Sequence, residues 1–167
     1  MNDADRCYAA ALRILNHRFN SVAELRRKLT AKEFDRDTVA ATIERLNGEK
    51  WLDDERFAGV FVRSRTLKRV GPQRIRGELL ALGVGDDIAR RAVDDNVAPD
   101  QEREGAITLC QKKMRMIARR YGVAYLRTDE GRKKLAAYLL NHGYGASLAF
   151  QTIDECMKIK KVLSAES

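Results

Sequence analysis

The sequence is poor in the residues that build disulfide, metal and catalytic sites. Its three cysteines, Cys7, Cys110 and Cys156, lie far apart, and His17 and His142 are its only histidines. No CxxC spacing is present, so neither a zinc site nor a disulfide framework is expected. We therefore predict reduced thiols in the core, no metal and no cofactor.

The sequence motifs of common enzyme classes are missing as well. It contains no GxxxxGK[ST] for a nucleotide phosphate, no GxGxxG after a strand, no HExxH and no GxSxG. The acidic residues 53–55 stand at the start of a predicted helix, where capping is their usual role rather than metal binding. These absences predict a protein that is not an enzyme.

Long apolar runs are also lacking. The opening residues MNDADRCYAA contain no apolar signal core, and no stretch approaches the length of a membrane span. Aromatic residues make up only 7% of the chain, so the core must rest mainly on Leu, Ile, Val and Ala. We expect a cytoplasmic protein without a membrane partner, and nothing in the sequence demands more than a monomer.

What is present is apolar periodicity at helical spacing, which predicts an all-α fold. The segment 51–83 is its clearest part and is predicted to form two helices. Asp53 and Asp54 begin the first helix. Gly71-Pro72 separates the two helices, and Gly83 ends the second. The predicted apolar positions of this segment are Phe57, Val60, Phe61, Leu67, Ile75, Leu79 and Leu82.

The helices recur in groups of three, with corresponding positions in register. The aligned sets are Leu25, Ile75 and Leu135, and then Leu29, Leu79 and Leu139. This registration predicts three tandem three-helix, helix-turn-helix-like modules, each stacking on its neighbours. We assign residues 1–50 to the first module, 51–97 to the second and 98–167 to the third, which ends in a short polar tail. An unrelated helical bundle with accidental periodicity is the alternative.

Positive charge is abundant and unevenly distributed. The formal net charge is +8, and no acidic residue falls within 56–77 or within 105–128. Solvated helix faces explain most short charge runs, but two runs of this length favour a surface for an anionic partner. The residues predicted to face that partner are Arg26, Arg27, Arg63, Arg65, Lys68, Arg69, Arg74, Arg76, Lys112, Arg115 and Arg119.

A DNA-binding helix-turn-helix is one interpretation of this basic character. Residues 79–84, LLALGV, resemble the glycine-containing turn of that motif. However, Asp86 and Asp87 would stand at the start of the recognition helix, where they would repel phosphate. A sequence-nonspecific DNA-binding protein therefore remains open as the alternative function.

Two segments of the central region carry a family resemblance. LDDERFAGVFVRSR, followed by GPQRIRGELLALGV, closely resembles the signature of the RecX regulators of the bacterial recombinase RecA. AELRRKL at 23–29 and KLAAYLLNHGY at 134–144 are similar to that family as well, while 100–127 matches mainly as a basic helix. The resemblance spans nearly the whole chain.

The resemblance implies an all-helical protein whose tandem three-helix modules form an elongated, curved molecule. It implies binding to RecA filaments along their groove, with weak, nonspecific binding to single- and double-stranded DNA. It further implies restraint of filament growth, ATP hydrolysis, strand exchange and the stimulated self-cleavage of the SOS repressor. The family has no catalytic residues to carry over, so the predicted basic surface rests on this sequence alone.

Overall fold

The computed structural model describes residues 2–158, and helices are the only regular secondary structure in that range. The all-α prediction is confirmed, while the predicted polar tail beyond residue 158 lies outside the described residues. The helices are α1 Asp3–His17, α2 Val22–Thr30, α3 Arg36–Gly48, α4 Asp54–Leu67, α5 Pro72–Ala81, α6 Asp86–Asn96, α7 Pro99–Tyr121, a 3-10 helix Val123–Arg127, α8 Asp129–Asn141 and α9 Ala146–Lys158.

The predicted helix starts are set by side-chain caps. Oγ of Ser21 accepts the Glu24 amide at 3.0 Å, and Oδ1 of Asp53 accepts the Arg56 amide at 2.9 Å. Each cap satisfies an amide that has no partner within its helix. The Glu24 carboxylate binds Arg18 and Lys28 and does not complete a capping box with Ser21.

Left-handed residues follow several helices. Gly83 has a φ of 82° after α5, as predicted for a residue that terminates a helix. Helix α3 ends differently. It stops at Gly48, and the left-handed residue is Lys50, with a φ of 59°. Asn47-Gly48 therefore does not supply the left-handed turn.

The chain divides into two compact units that do not follow the order of the sequence. The first unit contains the residues up to Phe61 together with Glu78–Ala92. The second contains Val62–Gly77 together with the chain from Val93 onward. Helices α4, α5 and α6 thus contribute to both units, and the predicted module boundaries remain a prediction.

The first unit is built on α1, α2 and α3. Its buried apolar side chains are Cys7, Ala11, Leu25, Leu29, Val39, Ile43, Leu46 and Leu52. The start of α2 is fixed by two further hydrogen bonds within this unit. Oγ of Ser21 donates to the carbonyl oxygen of Leu82 at 2.6 Å, and the Val22 amide donates to Oδ1 of Asp54 at 2.9 Å.

The second unit has its core between α7, α8, α9 and the 3-10 helix. Its buried side chains include Ala106, Leu109, Cys110, Met114, Ile117, Leu126, Leu135, Leu139, Ile153 and Cys156. The Tyr144 hydroxyl donates to the carbonyl oxygen of Arg69 at 3.0 Å. Burial, followed by the charge of Glu102, raises the pKa of Tyr144 to about 12, so the hydroxyl keeps its proton at neutral pH.

The buried face of α4 differs from the predicted one. Phe57 is buried as expected, but Phe61 is only partly buried and Leu67 is 78% exposed. Ala58 and Val62 are buried instead. At 100° per residue, Leu67 falls about 80° from Phe57, on the side away from Ala58 and Val62. Leu67 therefore lies outside the buried face of α4.

Candidate basic interaction surface

Helix α7 carries a solvated stripe of positive charge. Lys112, Arg115 and Arg119 follow at i, i+3 and i+7, so they share one side of the helix, and all three are exposed. The other side buries Met114 and Ile117 in the core of the second unit. Hence the core fixes the direction in which this stripe points, as the sequence predicted.

The cations of α7 differ in their surroundings. Within residues 2–158, Lys112 and Arg115 have neither an ion pair nor a side-chain hydrogen bond. Arg119 does engage other groups of the chain. Lys112 and Arg115 are therefore the members of the stripe whose charge serves no described contact within the fold.

The basic residues of α4 and α5 include several that stabilise the fold. Arg63 donates to Oδ1 of Asn96 at 2.7 Å, and Arg74 donates to the carbonyl oxygen of Asn141 at 3.3 Å. Arg65 is partly buried, and both it and Arg76 make contacts of their own. These four arginines therefore make contacts within the fold and do not form a surface of unpaired charge.

Lys68 and Arg69 occupy the turn between α4 and α5. Both side chains are exposed, and Arg69 has a left-handed backbone with a φ of 58°. The Arg69 carbonyl oxygen accepts a hydrogen bond from the Tyr144 hydroxyl. Both residues belong to the second unit, so this bond fixes the turn to the rest of that unit. The turn therefore presents two cations on a fixed backbone.

Arg26 and Arg27 belong to the first unit. Both are exposed on α2, and Arg27 donates to the carbonyl oxygen of Ala81 at a long 3.4 Å. Nearby, a cavity of about 500 Å³ is lined in part by Arg18 and Lys28. Those two cations are paired with Glu24, so their charge serves the fold.

Sequence reasoning missed a group of rings and cations in the second unit. Tyr121 continues the apolar spacing of α7, but it is 45% exposed. Its ring stacks on Tyr125 with centroids 4.7 Å apart and planes at 24°. The guanidinium carbon of Arg120 and Nζ of Lys134 lie 5.2 and 5.8 Å from the Tyr121 centroid. Two tyrosines flanking Gly122 within a basic run were the available signal.

A second ring–cation contact lies on the same two helices. Nζ of Lys113 is 5.0 Å from the centroid of the Tyr138 ring. That ring in turn lies 4.3 Å from the ring of His142, whose Nδ1 is 2.7 Å from the Tyr138 carbonyl oxygen. His142 therefore packs against the end of α8.

The described residues form neither a cluster of metal ligands nor a membrane-spanning helix. Residues 2–158 contain no group of three or more His, Cys, Asp or Glu side chains placed to hold a metal ion. The three cysteines are buried and free, as predicted. No described helix is both long and apolar enough to cross a membrane.

The fold and the charge together define a class: a basic, all-helical protein. Two family models match the chain, "RecX, first three-helix domain" at residues 7–46 and "RecX, second three-helix domain" at residues 53–93.

Curated relatives agree with these matches. "Regulatory protein RecX" of Prosthecochloris aestuarii is 35% identical over 162 residues, covering 94% of this chain and 99% of the relative. The protein of the same description from Syntrophotalea carbinolica is 32% identical over 154 residues, covering 89% and 94%. The chain therefore belongs to the RecX family of regulatory proteins.

Solved structures share the fold. The crystal structure of RecX from Lactobacillus salivarius superposes with a TM-score of 0.79 at 24% identity, covering 93% of this chain and 97% of that one. A second structure, described as regulatory protein RecX, also has a TM-score of 0.79, at 21% identity, over 92% and 72%. At these identities the likeness concerns the fold alone.

Proposed function

We propose that the chain is a negative regulator of the RecA recombinase. It binds the RecA–DNA filament and restrains filament growth, ATP hydrolysis, strand exchange and the stimulated cleavage of the SOS repressor. Membership of the RecX family carries this proposal, together with the resemblance of the segment 51–83 to the family signature. We further propose that it acts as a monomer in the cytoplasm, without catalysis of its own.

The basic surface supplies a physical route to filament binding. Lys112 and Arg115 are exposed and have no described partner in the fold, so their charge is available to an acidic protein surface or to phosphate. Lys68, Arg69, Arg26 and Arg27 add further exposed cations. We propose modules at 1–50, 51–97 and 98–167, so that several weak contacts on one chain combine through their high effective concentration.

The alternative is a nonspecific DNA-binding protein that acts without RecA. The net charge of +8 supports it, since cations that neutralise phosphates bind any sequence. The two functions differ in which target the chain binds more tightly, the RecA–DNA filament or bare DNA. A filament regulator binds the RecA–DNA filament far more tightly than bare DNA, and its DNA binding alone is weak.

Binding to preassembled filaments distinguishes the filament regulator from the nonspecific DNA-binding protein. Filaments are formed on immobilised single-stranded DNA with RecA and a slowly hydrolysed ATP analogue, and binding is compared with the same DNA without RecA. Tighter binding to the filament is expected over a range of salt concentrations. Equal binding to filament and bare DNA would contradict the proposal and favour the alternative.

A further inference from the structure

We propose that Tyr121 is the centre of a contact site for single-stranded nucleic acid. The site, here called the tyrosine surface, consists of Arg120, Tyr121, Tyr125 and Lys134, with Lys113 and Tyr138 as its continuation. All six residues belong to the second unit. This inference rests on the DNA-binding part of the proposed function, to which it gives a location and a mode of contact.

The exposed ring of Tyr121 is the first observation. The ring stands at the end of α7, beyond the last buried residue Ile117, and 45% of the residue remains accessible. Tyr125 stacks on it at 4.7 Å and donates from its hydroxyl to the Glu130 carboxylate at 3.1 Å. Burial, together with this hydrogen bond, raises the pKa of Tyr125, so the phenol stays neutral. The stacked pair is thus held in place while Tyr121 faces solvent.

The charges around the ring are the second observation. Arg120 and Lys134 lie over Tyr121, and within residues 2–158 neither has a carboxylate partner. Cation–π contacts of this kind are weak at exposed sites, so a phosphate can compete for both cations. The Glu130 carboxylate lies beside the rings, where it accepts a hydrogen bond from the Tyr125 hydroxyl and pairs with neither cation.

A similar arrangement lies further along the same two helices. Lys134 and Tyr138 are i, i+4 neighbours on α8, and Lys113 and Arg120 are i, i+7 neighbours on α7. Lys113 lies 5.0 Å from the Tyr138 ring, just as Lys134 lies near Tyr121. Rings and cations therefore alternate along the α7–α8 surface.

Alternating rings and cations match the chemistry of a single strand. Bases stack on aromatic side chains irrespective of sequence, while cations follow the phosphates between them. Bases in a duplex are already stacked on both faces, so they offer no free face to Tyr121. An acidic peptide without aromatic side chains would use the cations but gain nothing from the ring. An unpaired strand uses both along its whole length.

Fluorescence anisotropy with a labelled oligothymidine of twenty nucleotides, and with the matching duplex, tests the proposal. We expect Tyr121→Ala to weaken single-strand binding by about five-fold or more, the loss of one stacked base. Tyr121→Phe, which keeps the ring, should bind as the parent does. Phe150→Ala removes an equally exposed ring from α9 and should have no effect.

Salt dependence separates stacking from charge. Lys134→Ala should reduce the slope of log affinity against log salt by about 0.7, whereas Tyr121→Ala should leave that slope unchanged. Photocrosslinking of the parent protein to a bromouracil-containing strand should label the peptide that contains Tyr121. Unaltered binding by Tyr121→Ala, an equal loss for duplex, or crosslinks confined to other segments would each overturn the proposal.

The same variants keep this inference distinct from the filament function. If Tyr121→Ala loses single-strand binding, the inference holds whether or not the parent protein inhibits RecA. If Tyr121→Ala binds normally while the parent inhibits RecA, the filament proposal stands and the tyrosine surface is refuted.

Discussion

Gly71 and Gly143 bring their main chains into direct contact. A Cβ atom on Gly71 would lie 2.3 Å from the carbonyl carbon of Gly143, a distance at which the backbone must move. The Gly71 amide donates to the carbonyl oxygen of His142 at 2.7 Å, and the Gln73 amide donates to that of Gly143 at 3.1 Å. The turn before α5 is therefore joined by backbone hydrogen bonds to the residues that follow α8.

This contact predicts that Gly71→Ala destabilises the protein. The added methyl group meets backbone rather than a flexible side chain, so we expect a loss of about 1–3 kcal/mol in the free energy of unfolding. Gly77→Ala is the matched control. Gly77 lies inside α5 with nothing within 4 Å of a built Cβ, and alanine should stabilise the helix by about 0.5–1 kcal/mol. Urea unfolding of both variants measures the difference, and equal stabilities would contradict the contact.

The two phenylalanines of α4 are expected to respond differently to truncation. Phe57 is 4% exposed, and Phe57→Ala should cost about 3–5 kcal/mol of unfolding free energy. Phe61 is only partly buried, with its ring centroid 5.9 Å from that of Phe57, so Phe61→Ala should cost less. Thermal unfolding of the two variants gives the order, and a larger loss at Phe61 would refute the buried face described for α4.

The stability of the folded protein is expected to depend on pH through the carboxylate of Glu24. Burial raises the pKa of Glu24, but hydrogen bonds and charges from Arg18 and Lys28 outweigh it, so the pKa lies below its usual value of 4.5. A carboxylate with a lowered folded-state pKa stabilises the fold above its unfolded-state pKa. That contribution disappears as the pH falls through the folded-state value.

The measurement is the melting temperature of Glu24→Gln and of the parent protein between pH 7 and pH 2.5. The parent should be more stable at pH 7, and the difference should shrink below about pH 4.5 as Glu24 takes up a proton. Glu44→Gln, which removes an exposed carboxylate of α3, is the control for the loss of one negative charge. A Glu24→Gln difference independent of pH would contradict the ion pairs.

The stripe on α7 predicts a loss of filament binding on charge reversal. Lys112→Glu combined with Arg115→Glu should weaken inhibition of RecA without lowering stability, because neither side chain has a described partner within the fold. Arg13→Glu combined with Arg36→Glu is the matched control, in exposed positions of α1 and α3. Each reversal removes two charges, so both double variants fall from +8 to +4. Equal inhibition by the two would remove α7 from the binding surface.

Local signals in the sequence were enough to place the helices. Ser21, Asp53 and Thr128 cap the helices that follow them because each carries an oxygen that accepts an amide of the first turn. Gly83 ends α5 because glycine readily adopts the left-handed backbone that terminates a helix. The left-handed backbone of Lys50 was not predictable, because lysine is not a residue type that favours that region.

The candidate surface was less predictable, because exposure depends on tertiary packing. The exposure of Lys112 and Arg115 follows from helical periodicity alone. Arg63 and Arg74 look the same in sequence, yet Asn96 and the Asn141 carbonyl accept their hydrogen bonds. Tyr121 continues the apolar spacing of α7, but the core ends one turn earlier, so its ring is left exposed.

ATP hydrolysis by RecA on single-stranded DNA tests the central claim most directly. The protein is titrated at amounts too small to coat the DNA, beside a basic DNA-binding competitor that does not recognise RecA. Direct action on the filament predicts inhibition at these substoichiometric levels, with no effect of the competitor. Inhibition that appears only when the DNA is saturated would contradict the account and leave a basic DNA-binding protein with a RecX fold.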